Sequence, residues 1–105
     1  MSRLEKLQEL LKIDPNDSFT RYCIGLEYRG IKEYPKAIST MEELKAADPN
    51  YLPTYYQLAD CYRQVGDKAK ALECYKQGIT IAKAAADTHT LSELNAAMEE
   101  LEDEE

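Results

Sequence analysis

Two stretches of the sequence decide the fold: residues 14–30, DPNDSFTRYCIGLEYRG, and residues 48–64, DPNYLPTYYQLADCYRQ. Both begin with Asp-Pro-Asn, and their starts lie 34 residues apart. When residues 14–49 are aligned with residues 48–83, nine positions are identical, and segment 8–16 is echoed by segment 42–50 with the same spacing. A repeat of this length indicates a fold built from stacked copies of one small unit.

Each copy predicts two helices. The apolar residues of the first helix recur at i, i+4 and i+7, and we expect them to face the core: they are Ile24, Tyr28 and Ile31 in one copy and Leu58, Tyr62 and Val65 in the other. The first helix should end near Gly30 and Gly66, because glycine adopts turn conformations readily. The second should begin near Pro35 and at Asp67, a good N-cap residue. Asp-Pro-Asn then ends it, because proline disfavours helical geometry at the residue before it.

The residue types at five positions of the 34-residue period carry a resemblance to a known family. These positions are Gly25/Ala59, Tyr28/Tyr62, Ala37/Ala71, Met41/Tyr75 and the closing Pro49. With the two-helix pattern, they make residues 1 to about 84 resemble the tetratricopeptide repeat, in particular small bacterial-type proteins of that family that end in a solvating helix. The resemblance implies an all-α fold, a short right-handed α-solenoid of antiparallel helix pairs with about six helices.

Three positions depart from the pattern of that family. Its usual tryptophan is replaced by Tyr55 in one copy and by Arg21 in the other, and Arg21 suggests looser packing against the N-terminal helix. Gly78 stands where the family prefers alanine. Glycine inside a helix costs about 1 kcal/mol relative to alanine, so we expect the second repeat to be slightly softer.

The repeat pattern divides the chain into units of one domain, residues 1–105. Residues 2–14 are predicted to be half a repeat, 17–49 the first repeat, 51–83 the second repeat, 88–102 a capping helix and 103–105 an acidic tail. The capping helix should begin with a capping box from Thr90 to Glu93. Its apolar residues form one narrow stripe, as the end of a solenoid requires: Leu91, Leu94, Met98 and Leu101.

The charge of the chain is concentrated at its C-terminal end. Of the net charge of −7, residues 1–92 contribute nothing, because they hold 13 acidic and 13 basic residues, while residues 93–105 hold seven acids and no base. No basic stripe is present, which argues against nucleic acid or an anionic membrane as the main partner. The chain has no long apolar run and no signal-peptide core, so we expect a cytoplasmic protein.

No pattern of catalytic or metal-binding residues appears in the sequence. Cys23, Cys61 and Cys74 are an odd number of cysteines without a CxxC motif, which favours reduced thiols over disulfides or a zinc site. His89 is the single histidine and has no cysteine nearby in the sequence. There is no phosphate-binding glycine loop, no GxSxG and no HExxH. We therefore predict a protein that is not an enzyme and that has no cofactor and no metal.

The resemblance implies that one side of the first helices lines a concave groove, in which proteins of this family bind peptide segments or helices of other proteins. This face is predicted to hold Phe19 at the entrance, with Tyr22, Cys23, Leu26, Arg29, Tyr56, Gln57, Asp60, Arg63 and Gln64. Tyrosine and arginine are enriched at binding hot spots, and arginine favours carboxylate partners. Stacking of the repeats should bring Tyr22 near Tyr56 and Arg29 near Arg63. The alternative is that Tyr22 and Tyr56 are partly buried against the next helix and bind nothing.

Two further possibilities concern the ends of the chain. The apolar residues of the N-terminal helix cover a wider arc than one neighbouring helix pair needs, so this helix is a candidate homodimer interface and an assembly role is the alternative function. The acidic end is either a solvated tail or a segment that folds back onto Arg29 and Arg63 and competes with a ligand.

Overall fold

The computed structural model describes residues 1–104, which form six α-helices and no strand. The helices are α1 (Arg3–Ile13), α2 (Ser18–Gly30), α3 (Tyr34–Ala47), α4 (Pro53–Gln64), α5 (Lys68–Ala84) and α6 (Thr88–Glu102). Each helix packs against the next one along the chain, and α2 also contacts α4. The predicted all-α solenoid of about six helices is confirmed. Glu105, the last residue of the predicted acidic tail, lies outside the described residues.

The Asp-Pro-Asn triplets end α1 and α3, as their sequence predicts. Asp14 and Asp48 are the C-cap residues, and their N–H groups donate to the carbonyl oxygens of Leu10 and Leu44. Both aspartates have non-helical backbone angles, since the ring of a following proline would clash with a helical residue. The triplet therefore separates one helix pair from the next.

The turn inside each repeat differs from the prediction at Gly30. In the second repeat Gly66 has a positive φ of 82°, a conformation that glycine adopts without strain. In the first repeat the residue with this conformation is Lys32, at φ 61°, while Gly30 is the last residue of α2. The sequence placed the first glycine at the turn, but the 34-residue spacing pairs Gly66 with Lys32 rather than with Gly30.

The prediction that Ile31 and Val65 face the core is wrong. Ile31 is 62% exposed and Val65 is 48% exposed. They are the C-cap residues of α2 and α4, so the helix has already ended where the i+7 spacing would turn them inward. Ile24 and Leu58, at the first positions of the same pattern, are buried as expected, while Tyr62 is buried and the equivalent Tyr28 only half-buried.

The core lies mainly between the second repeat and its neighbours. It contains fully buried side chains from four helices, among them Met41, Leu44, Leu58, Tyr75 and Leu94. The helix α1 contributes no buried residue. Burial of apolar surface therefore stabilises α3 to α6 more than the N-terminal end of the solenoid.

Gly78 has a packing role that the sequence did not reveal. A Cβ atom at this position would lie 2.8 Å from Cβ of Tyr55 and 3.0 Å from Cδ1 of Leu94. Such distances are shorter than van der Waals contact, so the glycine lets α5 approach both α4 and α6 closely. The helix-propensity argument, by which alanine would be better here, is outweighed by this contact.

The helix α6 begins two residues earlier than the predicted capping box. Its N-cap is Asp87, whose carboxylate accepts hydrogen bonds from the N–H and the hydroxyl of Thr90. Thr90 therefore lies inside the first turn, and the predicted Thr90–Glu93 box is wrong. Leu94 and Leu101 of the predicted stripe are buried, and Leu91 and Met98 are half-buried against the core.

Candidate functional site

Three helices line one face of the solenoid, and we call this face the groove. They are α2, α4 and α6, with α4 as the floor, and the groove consists of two adjoining depressions. The first has a volume of about 350 Å³ and is lined by Tyr22, Leu52, Pro53, Tyr56, Gln57, Asp87, Thr90 and Glu93. The second has a volume of about 550 Å³ and is lined by Tyr56, Asp60, Arg63, Gln64, Glu93, Ala96, Ala97 and Glu100. Tyr56 and Glu93 line both, so the two depressions are continuous along α4.

Sequence reasoning missed the residues that α6 contributes to this face. It treated α6 as a cap, yet the helix takes the place of the first helix of a third repeat. The hydroxyl of Thr20 donates to Asp17 at 2.6 Å in α2, as that of Thr90 donates to Asp87 at 2.8 Å in α6. This Asp-x-x-Thr signal is present in the sequence, but its two copies lie 70 residues apart rather than twice 34.

Arg29 is fixed by residues of the neighbouring helix α4. Its guanidinium lies 2.6 Å from the carboxylate of Asp60, and it donates to the side-chain oxygen of Gln57 at 2.9 Å. The side chain of Asp60 is only 18% exposed. Two of the predicted site residues, Arg29 and Asp60, thus bind one another across the α2–α4 contact.

Arg63 is held in the same way by the last helix. Its guanidinium contacts the carboxylate of Glu100 at 3.3 Å and that of Glu104, and only 19% of its side chain is exposed. Contact with Tyr75 and these two carboxylates raises the pKa of Arg63 above its already high ordinary value. Lys68 adds a hydrogen bond to the main-chain oxygen of Glu104. The acidic end therefore lies on Arg63, while Arg29 contacts Asp60.

Tyr22 and Tyr56 line the same depression, where the repeat alignment places them. The ring of Tyr22 packs against Tyr51 with a centroid distance of 5.8 Å, and the ring of Tyr56 packs against Tyr75 at 6.3 Å. Burial raises the pKa of the Tyr22 hydroxyl. Tyr56 is 37% exposed, more than a core tyrosine, so part of its side chain is accessible from the groove.

The other predicted groove residues differ in exposure. Phe19 is 63% exposed, in the first turn of α2, and Gln64 is exposed at the end of α4. Leu26 is half-buried against the core. Cys23 is only 8% exposed, which leaves its thiol little surface to offer a ligand.

The three cysteines are free and buried. Burial raises the pKa of the Cys61 thiol to about 11 and that of Cys74 to about 12. A thiol with so high a pKa is almost entirely protonated at neutral pH, and the thiolate is the reactive form. Cys61 and Cys74 therefore behave as small apolar core residues.

Residues 1–104 contain no group of three or more histidine, cysteine or acidic side chains arranged to hold a metal ion. In the same part of the chain, no helix is long and apolar enough to cross a membrane.

Comparison with known proteins gives the family of this chain. The sequence model of the tetratricopeptide repeat matches residues 19–84. A tetratricopeptide repeat domain protein from Salinibacter ruber has 36% sequence identity and a TM-score of 0.83, over 88% of this chain and 93% of that one. The fold is also similar to PcrH in complex with the chaperone binding region of PopD, with a TM-score of 0.86 at 20% identity over 93% of this chain and 74% of the other.

A longer protein contains a similar segment. Anaphase-promoting complex subunit 3 from Dictyostelium discoideum is 29% identical over 70 residues, which are 67% of this chain. The chain spans about 7% of the length of that protein. The match to the family model covers more than half of the chain, and the helices stack as the repeat requires. The chain belongs to the tetratricopeptide repeat family.

Proposed function

We propose that this protein is a non-catalytic adaptor or scaffold that binds a peptide or a helix of another protein in the groove. One observation carries the proposal: two continuous depressions run along α4, with the half-exposed ring of Tyr56 between them. An aromatic ring with a polar hydroxyl at the centre of a concave surface is typical of a binding hot spot. PcrH, which has a similar fold, is seen in complex with a segment of another protein, PopD.

We also propose that the protein works in the cytoplasm. All three of its cysteines are unpaired, which fits a compartment that keeps thiols reduced.

Pull-down from cells with Tyr56→Ala tests the groove. Truncation of a central aromatic side chain should remove at least about 2 kcal/mol of binding energy, so the captured protein should be lost. The matched control is Tyr34→Ala, which removes a half-buried tyrosine from α3, outside the groove. Both variants should keep the far-UV helix signal. If Tyr56→Ala retains the partner as well as Tyr34→Ala does, the groove is not the binding site.

The N-terminal helix supports a second candidate function, homodimer assembly. By the 34-residue period Leu10 corresponds to Leu44, yet Leu10 is 51% exposed and Leu44 only 1%. The reason is that α3 packs against helices on both sides, whereas α1, within residues 1–104, packs mainly against α2. Ile13, on the last turn of α1, is 81% exposed. An exposed apolar helix face of this kind is typical of an interface between subunits.

Light scattering at several hundred micromolar tests the dimer. A homodimer through α1 should become a monomer in the double variant Leu10→Ser, Ile13→Ser, and should persist in Ile31→Ser, which removes a comparably exposed apolar residue at the end of α2. A wild-type protein that is monomeric at this concentration would exclude the assembly function.

A further inference from the structure

The charges of the groove indicate what kind of segment fits it. Arg63 lines the second depression, and Arg29 lies beside Asp60, which lines it as well; both guanidinium groups are already paired with carboxylates of the same chain. An acidic ligand would have to displace Asp60 from one arginine, or Glu100 and Glu104 from the other. Displacing an existing pair cancels most of what the new pair would contribute, so the arginines favour no carboxylate partner.

Carboxylates outnumber the guanidinium groups along the groove. Four carboxylates line the depressions: Asp60, Asp87, Glu93 and Glu100. Glu93 lines both depressions, and its carboxylate lies 2.7 Å from Nε2 of His89, which sits in the preceding turn of the same helix and is 86% exposed. Four carboxylates thus line the depressions against one guanidinium group, that of Arg63, and a concave surface concentrates the resulting negative potential.

Two tyrosine rings line the first depression together with two of these carboxylates. The first depression has Tyr22 and Tyr56 on α2 and α4, and Asp87 and Glu93 on α6. The side chain of lysine or arginine matches such a site, since its methylene groups pack on a ring while its charged end reaches a carboxylate. A cation near the face of a tyrosine ring is also attracted by the ring itself.

We propose that the groove binds a basic segment of a partner protein, with one lysine or arginine side chain between the tyrosine rings and Glu93. This inference rests on the proposed function of the groove and adds the chemistry of the partner. Apolar residues beside the basic one would lie on Leu52 and Pro53 at the edge of the first depression. The sequence led to the opposite expectation, a carboxylate partner for the arginines, because it could not show that they are paired within the chain.

Two fluorescein-labelled peptides of about 14 residues provide the probe. They share the same leucine and tyrosine positions, and the remaining positions are lysine in one and glutamate in the other. We expect the lysine peptide to bind the full chain at least about tenfold more tightly in fluorescence anisotropy titrations at low salt. The lysine peptide should also shift the backbone amide signals of Tyr22, Tyr56 and Glu93 in NMR spectra.

Variants of equal charge separate a groove site from general attraction to an acidic protein. Glu93→Lys should weaken binding of the lysine peptide about tenfold, and Glu93→Gln about threefold. Glu43→Lys is the matched control, because Glu43 is exposed on α3 and lines neither depression. This control changes the net charge by the same amount and should weaken binding less than about twofold.

The outcomes that contradict the inference are distinct from those that contradict the groove itself. Equal weakening by Glu93→Lys and Glu43→Lys would show non-specific attraction and overturn the inference. Tighter binding of the glutamate peptide, with shifts at Tyr22 and Tyr56, would overturn the basic partner and leave the groove function standing. If neither peptide shifts any groove signal at millimolar concentration, the groove function and the inference fall together.

Discussion

In each repeat a large buried side chain lies at one of two equivalent positions, but the helix that supplies it differs between the repeats. In the second repeat the large side chain lies on the first helix: Tyr55 is 3% exposed and faces Gly78, which has no side chain. At the same two positions the first repeat has Arg21 and Leu44. Leu44 is buried, while the guanidinium of Arg21 donates a hydrogen bond to the main-chain oxygen of Pro15 at 3.0 Å. The two repeats of this chain therefore share a filled interior rather than the same residue type at each position.

The neighbours of each repeat also differ. The second repeat lies between α3 and α6, and both contribute fully buried side chains, Leu44 and Leu94. The first repeat has α1 on its outer side, where no residue is fully buried. The second repeat is therefore expected to be the more stable of the two, although its sequence contains the glycine inside a helix that argued for the reverse.

The largest expected effect comes from giving the first repeat the glycine of the second. Leu44→Gly should lower the free energy of unfolding by about 4 kcal/mol, because it leaves a cavity and weakens the helix. Urea denaturation followed by circular dichroism measures this. Ala46→Gly, at an exposed site on the same helix, is the control for helix propensity and should cost about 1 kcal/mol. A loss no larger than the control would mean that Leu44 does not fill the core.

A Cβ atom added at two buried glycines should separate a rigid contact from an adaptable one. Gly78→Ala should destabilise the protein by about 2 kcal/mol, since the added atom meets Cβ of Tyr55, which is attached to the main chain of α4. Gly25→Ala should cost less than about 1 kcal/mol, because its contact at 2.5 Å is the end of the flexible Met41 side chain. Thermal melting of both variants measures the two losses of stability. A Gly78→Ala variant that is more stable than the wild type would contradict the close packing at Gly78.

Alkaline pH should act in part through Tyr62, one of the buried tyrosines of the second repeat. Burial and the hydrogen bond that Tyr62 donates to Glu42 at 2.9 Å raise the pKa of this hydroxyl above its usual value of 10.0. As the pH rises, the Tyr62 hydroxyl loses its proton in the unfolded chain before it does so in the folded protein. The stability that this group contributes is therefore retained below about pH 10 and decreases as the pH rises further. The loss is about 1 kcal/mol per pH unit for this group.

The measurement is the free energy of unfolding in urea between about pH 9 and pH 11. Tyr62→Phe removes one of the ionisable groups and should make the decrease less steep by about 1 kcal/mol per pH unit. Tyr28→Phe, at the equivalent half-buried position of the first repeat, is the matched control and should leave the slope of the wild type unchanged. Equal slopes for the wild type and Tyr62→Phe would show that Tyr62 does not contribute to the loss of stability at alkaline pH.

The smallest effect concerns the turn inside each repeat. Lys32 has the positive φ that glycine has at Gly66, so Lys32→Gly should stabilise the protein by about 0.5 to 1 kcal/mol. Gly66→Ala should destabilise it by a similar amount. Chemical denaturation of the two single variants tests the pair, and effects of the same sign would contradict the equivalence of the two turns.

Much of the fold could be predicted from the sequence because its signals are local. The Asp-Pro-Asn triplets end helices through the proline ring, and Asp67 caps α5 by accepting from the N–H of Lys70. Spacing also identified buried positions such as Leu58 and Leu94. It was wrong for Ile31 and Val65, because the i, i+4, i+7 pattern continues in the sequence one residue beyond the end of each helix.

The groove was only partly predictable. Tyr22 and Tyr56, which the sequence alignment pairs, line the same depression, since residues one period apart lie at equivalent places in stacked helices. The wall formed by α6 was missed, because α5 has 17 residues where α3 has 14, and this longer helix shifts the repeat signal of α6. The partners of the arginines were also missed, because Arg29–Asp60 and Arg63–Glu100 join residues 31 and 37 positions apart on different helices.

Caps and prolines act within one or two turns of chain, so the order of amino acids specifies the repeat and its helices. Tertiary structure alone decided which charges remain available and which glycine is required. Ion pairs and close contacts depend on the distances between helices, which no local pattern encodes. Asp-Pro-Asn thus organises the solenoid, while the packing of α2, α4 and α6 gives the groove its acidic and aromatic character.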